Sequence, residues 1–160
     1  MKLSQLKALD KLVKSDKTYD FLQHVFVSGK YVYACTPYIV IEIRAKELED
    51  NAANVQFAAV DMDKAETCND ELRYVKLDQC LLVDDYACWN KWDPDYFVRF
   101  FLAETVHANR YDPKYLIKIF QIFKAFDLNV SFSHYTMSNL IVYEGRSKNY
   151  EIKALLMSLS

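Results

Sequence analysis

Residues 111–128, YDPKYLIKIFQIFKAFDL, constrain the fold more than any other stretch, because they hold a helix start, a two-faced body and a stop. Asp112 offers a side-chain oxygen to the free amides of a first turn, and Pro113 loses nothing there by lacking an N–H. The helix is therefore predicted to begin at Asp112 or Pro113. At 100° per residue, Leu116, Ile119, Phe120, Ile122, Phe123 and Phe126 fall on one half of the wheel. Lys114, Lys118, Gln121 and Ala125 fall on the other. One face must be covered and the opposite one is basic and thin, so the helix is expected to lie on a sheet.

The first fourteen residues, MKLSQLKALDKLVK, repeat this design. Leu3, Leu6, Leu9, Leu12 and Val13 share one half of the wheel, while Lys7, Lys11 and Lys14 follow at i, i+4 and i+7. Like charges at that spacing repel by a few tenths of a kcal/mol per pair, about the reverse of what stability alone would select. Next come two β-rich runs, FLQHVFV (21–27) and KYVYACT (30–36), around Ser28-Gly29, which reads as a hairpin. YIVIEIR (38–44) alternates Ile39, Ile41 and Ile43 against Val40, Glu42 and Arg44, the period-2 pattern of a half-buried strand. Beyond the second helix, 129–134, 140–144 and 150–159 read as three more strands. The order is helix, three strands, insertion, helix, three strands. Two such units can bury both helices on a pair of sheets and leave both lysine rows on the same outer side.

The middle, residues 51–109, departs from the rest in charge. It holds eleven acids against five bases, net −6, so that the remainder carries +4 within the total of −2. Residues 55–62 and 72–83 look like strands, and 96–106 has apolar residues at helical spacing. Trp89 and Trp92 flank a loop before Asp93-Pro94-Asp95 and read either as lids on the core or as anchors for a partner.

Several function classes are disfavoured. Gly29 and Gly145 are the only glycines, so no phosphate-cradling glycine loop exists and nucleotide-dependent enzymes are not expected. Cys35, Cys68, Cys80 and Cys88 lack C-x-x-C spacing, and no run approaches the ~18 apolar residues of a membrane span. The expectation is a cytoplasmic protein with free thiols, no membrane contact, no metal and no cofactor. His24, His107 and His134 stand apart from one another and from any nucleophile, so no catalytic residue is assigned. The pairs Asp61/Asp63 and Asp84/Asp85 could hold Mg²⁺ as nucleases do, but acidic surface loops are usually just solvated.

The doubled helix-plus-meander pattern resembles one domain of the DNA sliding clamps, the ring-shaped processivity factors of replication. Three stretches carry the likeness: MKLSQLKALDKLV, similar to the opening helix of a bacterial β-clamp domain; FLQHVFVSGKYVYACTPYIVIEIR, similar to the family's hairpin and following strand; and YDPKYLIKIFQIF with the terminal ALLMSL, similar to its second helix and last strand. They cover about 100 of the 160 residues. Thr36-Pro37-Tyr38 stands where the family has an Asp-Gly turn, the terminal Met157-Ser158-Leu159 lacks the family's proline, and the strand before the first helix is missing or very short.

The resemblance implies an α+β, DNA-clamp-like single domain spanning 1–160. Its two amphipathic helices pack on antiparallel meanders, with residues 1–50 and 110–160 as the two halves and 51–109 as the acidic insertion. It implies sequence-independent contact of Lys7, Lys11, Lys14, Lys114, Lys118 and Lys124 with the phosphates of double-stranded DNA, as a homo-oligomer and with a polymerase or other replication proteins. Lysines are point charges suited to that contact. Thr36, Tyr38, Met157 and Leu159 match positions that help form the family's pocket for partner peptides, and Trp89 and Trp92 are added as partner anchors from their residue type. The alternative is a clamp-fold interaction module, an adaptor or DNA mimic, that does not encircle DNA.

Overall fold

The computed structural model describes residues 1–48, 58–67, 74–81, 112–128, 132–137 and 140–157. Helix α1 (Leu3–Val13) leads into strands β1 (Val25–Ser28), β2 (Tyr31–Cys35) and β3 (Ile39–Ala45). A two-residue strand β4 (Ala58–Ala59) and a short helix α2 (Met62–Thr67) lie in the insertion. Helix α3 (Pro113–Ala125) leads into β5 (Phe132–Met137), β6 (Leu140–Arg146) and β7 (Tyr150–Met157). The expected order of two helix-plus-three-strand units is therefore present.

The two meanders do not form a pair of sheets, as expected from the sequence, but one. Strand order is β4-β1-β2-β3-β7-β6-β5, antiparallel throughout. The join is the long β3–β7 ladder, from Ile39 opposite Leu156 to Ala45 opposite Tyr150. Each last strand would otherwise leave a row of unpaired N–H and C=O groups at a sheet edge, and pairing the two edges satisfies both rows.

α1 and α3 lie side by side on one face of this sheet. Leu6, Leu9, Leu12 and Val13 of α1, with Ile119, Ile122, Phe123 and Phe126 at α3, pack onto the inward strand positions Val27, Val32, Ile39, Ile41, Ile43, Ile152 and Leu156. The α3 start follows its sequence signal: Asp112 Oδ1 accepts from the Lys114 amide at 2.9 Å and Pro113 is the first helical residue. The helix stops in a left-handed residue, Asp127 (φ +56°), and the Leu128 amide returns to the Phe123 carbonyl at 3.0 Å. That closure commonly uses glycine, and this glycine-poor chain makes it with aspartate. Gly145 on β6 lets α3 approach: a Cβ there would stand 2.8 Å from the Phe123 ring.

α3 is rolled relative to the sequence-based wheel. Tyr115 is buried, stacked on Tyr38 with centroids 4.8 Å apart, whereas Phe120, expected on the buried face, is 39% exposed and Ile117 is 57% exposed. The Tyr38–Tyr115 stack pulls the buried sector toward residue 115 and turns 117 and 120 outward.

The opposite sheet face is divided. At one end Leu22, Phe26, Tyr33, Cys35, Val40, Ala59, Val142 and Leu155 form a second apolar cluster. At the other end the outward positions of β3, β7 and β6 are charged, and Tyr31, Arg44, Glu144, Arg146, Glu151 and Lys153 border a depression of about 360 Å³.

Three strand expectations are corrected. In 21–27 the first residues form a 3-10 turn, Asp20–Leu22, held by the Gln23 amide on the Asp20 carbonyl (3.1 Å) and the Gln23 amide group on the Asp20 carboxylate (3.2 Å). Of 55–62 the described residues begin at 58; among them Ala58–Ala59 is strand, and the chain then leaves it because Asp61 Oδ1 accepts from the Asp63 and Lys64 amides and starts α2. Within 72–83 the described residues make single bridges at Tyr74 and Leu81 around a 3-10 turn, Leu77–Gln79. Residues 96–106 lie outside the described residues. Among the described residues, no helix is long and apolar enough to cross a membrane.

Candidate nucleic-acid interface

Where α1 and α3 run against each other they leave a groove of about 290 Å³ on the side away from the sheet. Its apolar lining is Ala8, Leu12 and Ile122. Lys11 and Ser15 of the α1 side and Lys118 and Gln121 of α3 supply the polar groups. The helical period explains the selection: Lys11 and Ser15 are one turn apart, as are Lys114, Lys118 and Gln121. The Lys118 ammonium donates to Ser15 Oγ at 2.8 Å, bridging the helices, and lies 5.4 Å from the Tyr115 ring centroid.

Five of the six candidate lysines are brought to this side, in different states. Lys7 pairs with Glu66 of α2 (2.9 Å), Lys14 with Asp10 (2.8 Å) and Lys114 with Asp112 (2.8 Å). Lys114 also sits 4.8 Å from the Tyr115 centroid. Among the described residues, Lys11 and Lys118 have no carboxylate within ion-pair distance. The sixth, Lys124, lies on the other shoulder of α3, about 120° around from Lys118 and in the sector of Ile117 and Phe120, so it does not join the row.

The neighbouring ionisable groups sit in the same field. Asp112 is held below the ordinary carboxylate range by its hydrogen bond from Lys114, and Lys114 is raised by that same bond. Burial pushes Asp16 upward, but hydrogen bonds from Thr18 and the positive field of Lys118 and Lys114 outweigh it and bring it down. The His24 imidazole is lowered, first by partial burial and then by Lys14.

Of the partner-binding candidates, Thr36, Tyr38 and Met157 gather at one end of the sheet. Thr36 is buried, and its hydroxyl accepts from the amides of Tyr38 (3.3 Å) and Ile39 (3.1 Å), so its side chain is committed to the turn. Tyr38 is half-buried against Tyr115, and the Met157 amide donates to the Tyr38 carbonyl at 2.9 Å. Leu159, Trp89 and Trp92 lie outside the described residues, as do His107 and the Asp84/Asp85 pair. Asp61 caps α2: its Oδ1 accepts from the Asp63 and Lys64 amides, and its Oδ2 lies 3.8 Å from the Lys64 ammonium. Sequence reasoning missed Ser15 and Gln121. Ser15 extends the Lys7–Lys11 row by one more turn, and Gln121 shares the polar face of Lys114 and Lys118; those spacings are the signal that could have found them.

Fold and groove together define a class: an antiparallel α+β domain of two αβββ units, with paired helices on one face and a lysine-edged groove between them. Comparison of the chain with protein-family models, with curated proteins and with solved structures returned no match.

Proposed function

We propose that the chain is a clamp-like module that binds the phosphate backbone of DNA, without reading sequence, across the paired helices α1 and α3. The observation that carries this is the placement of Lys11 and Lys118 on facing rims of one groove, with no carboxylate partner among the described residues, and with Lys7, Lys14 and Lys114 beside them. Phosphate oxygens need only a point charge at the right place, and ammonium groups on exposed helix shoulders meet that need. The carboxylates paired with Lys7, Lys14 and Lys114 are exposed or half-buried, so such pairs hold by about 1 kcal/mol or less and exchange readily for a phosphate. Encirclement by a chain of this size requires several copies, and the molecular mass in solution decides whether it occurs.

Binding to a generic duplex, measured at about 50 and 200 mM salt, tests the reading: the log–log slope is expected near −0.9 per neutralised phosphate. Undetectable binding at the lower salt overturns it.

A second reading, a protein-interaction module on the same fold, is favoured by a different observation. Ile117 and Phe120 are exposed together on the shoulder of α3 away from α1, with Lys124 one turn beyond Phe120. Exposed paired apolar groups suit a protein partner better than a phosphate backbone. Replacing both by glutamate separates the readings: duplex binding survives under the first, and association with a protein partner is lost under the second.

A further inference from the structure

Tyr19 is 48% exposed, while most of the described aromatic residues are buried or nearly so. It lies just past the end of α1, between Asp16, whose carboxylate feels Lys118 and Lys114, and the turn Asp20–Leu22. Its ring is supported from one side by Phe21, with centroids 5.4 Å apart. Phe21 in turn packs on the outer apolar cluster to which Met157 also belongs, and the Met157 amide is bonded to Tyr38 beside Tyr115. Ser15, bonded to Lys118, marks one end of the groove, and the chain runs from it through Asp16 to Tyr19, which keeps the largest free surface of these rings. Lys14 and Lys17, both exposed, flank the same loop.

We infer that Tyr19 is a stacking platform for an unpaired base, so that the preferred ligand of the groove is DNA with a single-stranded portion rather than an uninterrupted duplex. This rests on the backbone-binding reading above. The chemistry has two separable parts. Lysines along the groove hold phosphates of either form of DNA, because both present the same anion. An aromatic ring with an exposed side adds affinity only where a base can leave its own stack, and it does so for any base, since each has a π-face. The support from Phe21 fixes the tyrosine ring in advance, which lowers the ordering cost of stacking. A protein partner that used the same ring would not depend on the strandedness of DNA.

The test is the anisotropy of a labelled oligothymidine of about 20 nucleotides and of a 20-base-pair duplex, each titrated with the wild-type chain, Tyr19→Ala, Tyr19→Phe and Lys11→Glu/Lys118→Glu. Tyr19→Ala is expected to weaken the oligothymidine complex about tenfold and to leave the duplex complex unchanged, while Tyr19→Phe keeps wild-type affinity for both. The lysine double variant weakens both ligands. If Tyr19→Ala leaves oligothymidine binding unchanged, or lowers both ligands equally, the stacking inference is overturned while the backbone reading stands. If neither ligand binds the wild-type chain, both fall. Tyr19 is exposed and outside the packed core, so an unchanged thermal melt of the variant shows that the fold is intact.

Discussion

Two charged surfaces of this molecule differ in how their charges are arranged. On the outer sheet face, Lys153 stands between Glu42 and Glu144, and Glu151 stands between Arg44 and Arg146. Each charge has the opposite charge directly across the ladder: Lys153–Glu144 at 3.5 Å, Arg44–Glu151 at 3.4 Å and Arg146–Glu151 at 3.9 Å. Three cations and three anions cancel, and the field a few ångströms away is weak. On the helix face, carboxylates sit on the shoulders and ends, against Lys7, Lys14 and Lys114, and the rims of the groove hold Lys11 and Lys118 with no acid bonded to them among the described residues. Charge number is similar on the two surfaces; sign ordering is not. A cross-strand checkerboard stabilises the sheet locally, whereas like charges in a row repel one another and add no such stability.

The contrast depends on the helix layer staying seated, and the largest predicted effect comes from unseating it. Phe123 is nearly fully buried and rests over Gly145. Phe123→Ala is expected to lower stability by about 3–5 kcal/mol, read from urea unfolding. Gly145→Val is expected to cost about 1–3 kcal/mol, because the added methyl groups would have to displace the Phe123 ring. A Gly145→Val protein as stable as wild type would mean that α3 does not press on β6 as described.

Alkali gives the next effect and reaches both layers at once. Burial pushes the Cys35 thiol, in the outer cluster, up to about 12, and it also raises the Tyr150 phenol, in the inner core. For a group with a raised folded pKa the protonated form is favoured by folding. Its contribution is therefore complete below the unfolded value and is lost as pH climbs toward the folded one. Unfolding free energy is expected to fall from about pH 9 to 12 through Cys35, with Tyr150 adding to the fall from about pH 10, by up to about 1.4 kcal/mol per pH unit for each group. Cys35→Val should flatten part of that slope, and an unchanged slope would remove Cys35 as its source.

How much of this was readable in advance follows from which signals are local. Asp112-Pro113 specifies a helix start through its own backbone chemistry, and the alternation in 38–44 specifies a two-faced strand, so α3 and β3 stand where expected. The rolling of α3 was not legible. It depends on Tyr38 meeting Tyr115, residues 77 positions apart, and a helical wheel carries no information about the partner. The place of Lys124, by contrast, was legible: six residues beyond Lys118, it stands about 120° from it on the same wheel. Joining of the meanders through β3 and β7 was hidden, since both strands are apolar enough to sit in one sheet or two. In the described parts of 55–62 and 72–83, where β-branched and aromatic residues point to strands, short-range hydrogen bonds at Asp61 and at Lys76–Gln79 prevail.

The comparison of surfaces is sharpened by equal charge changes on each. Lys11→Glu/Lys118→Glu and Arg146→Glu/Lys153→Glu both alter the net charge by the same amount. The first is expected to weaken duplex binding tenfold or more at about 50 mM salt and to make the salt slope shallower; the second should leave it within about twofold. Equal losses from both variants would show that binding follows net charge alone, and the groove would then have no special standing.

The smallest effect tests the checkerboard itself. Lys153 and Glu144 are both partly exposed, so solvent screens their attraction and each single reversal, Lys153→Glu or Glu144→Lys, is expected to cost only about 0.5–1 kcal/mol. The costs are unequal in origin. Lys153→Glu places a new acid between Glu42 and Glu144, while Glu144→Lys places a new base opposite Lys153 at the β6 side alone. The double reversal restores the β6–β7 pair but leaves the acid introduced on β7 facing Glu42. It should therefore recover part of the loss, with a coupling energy of roughly 0.5 kcal/mol in a double-mutant cycle. Adding Glu42→Lys should recover the rest, because the row then reads base, acid, base. Strict additivity of the single changes would mean that the alternation on this face is only a consequence of exposure, and that the two surfaces differ less than their patterns indicate.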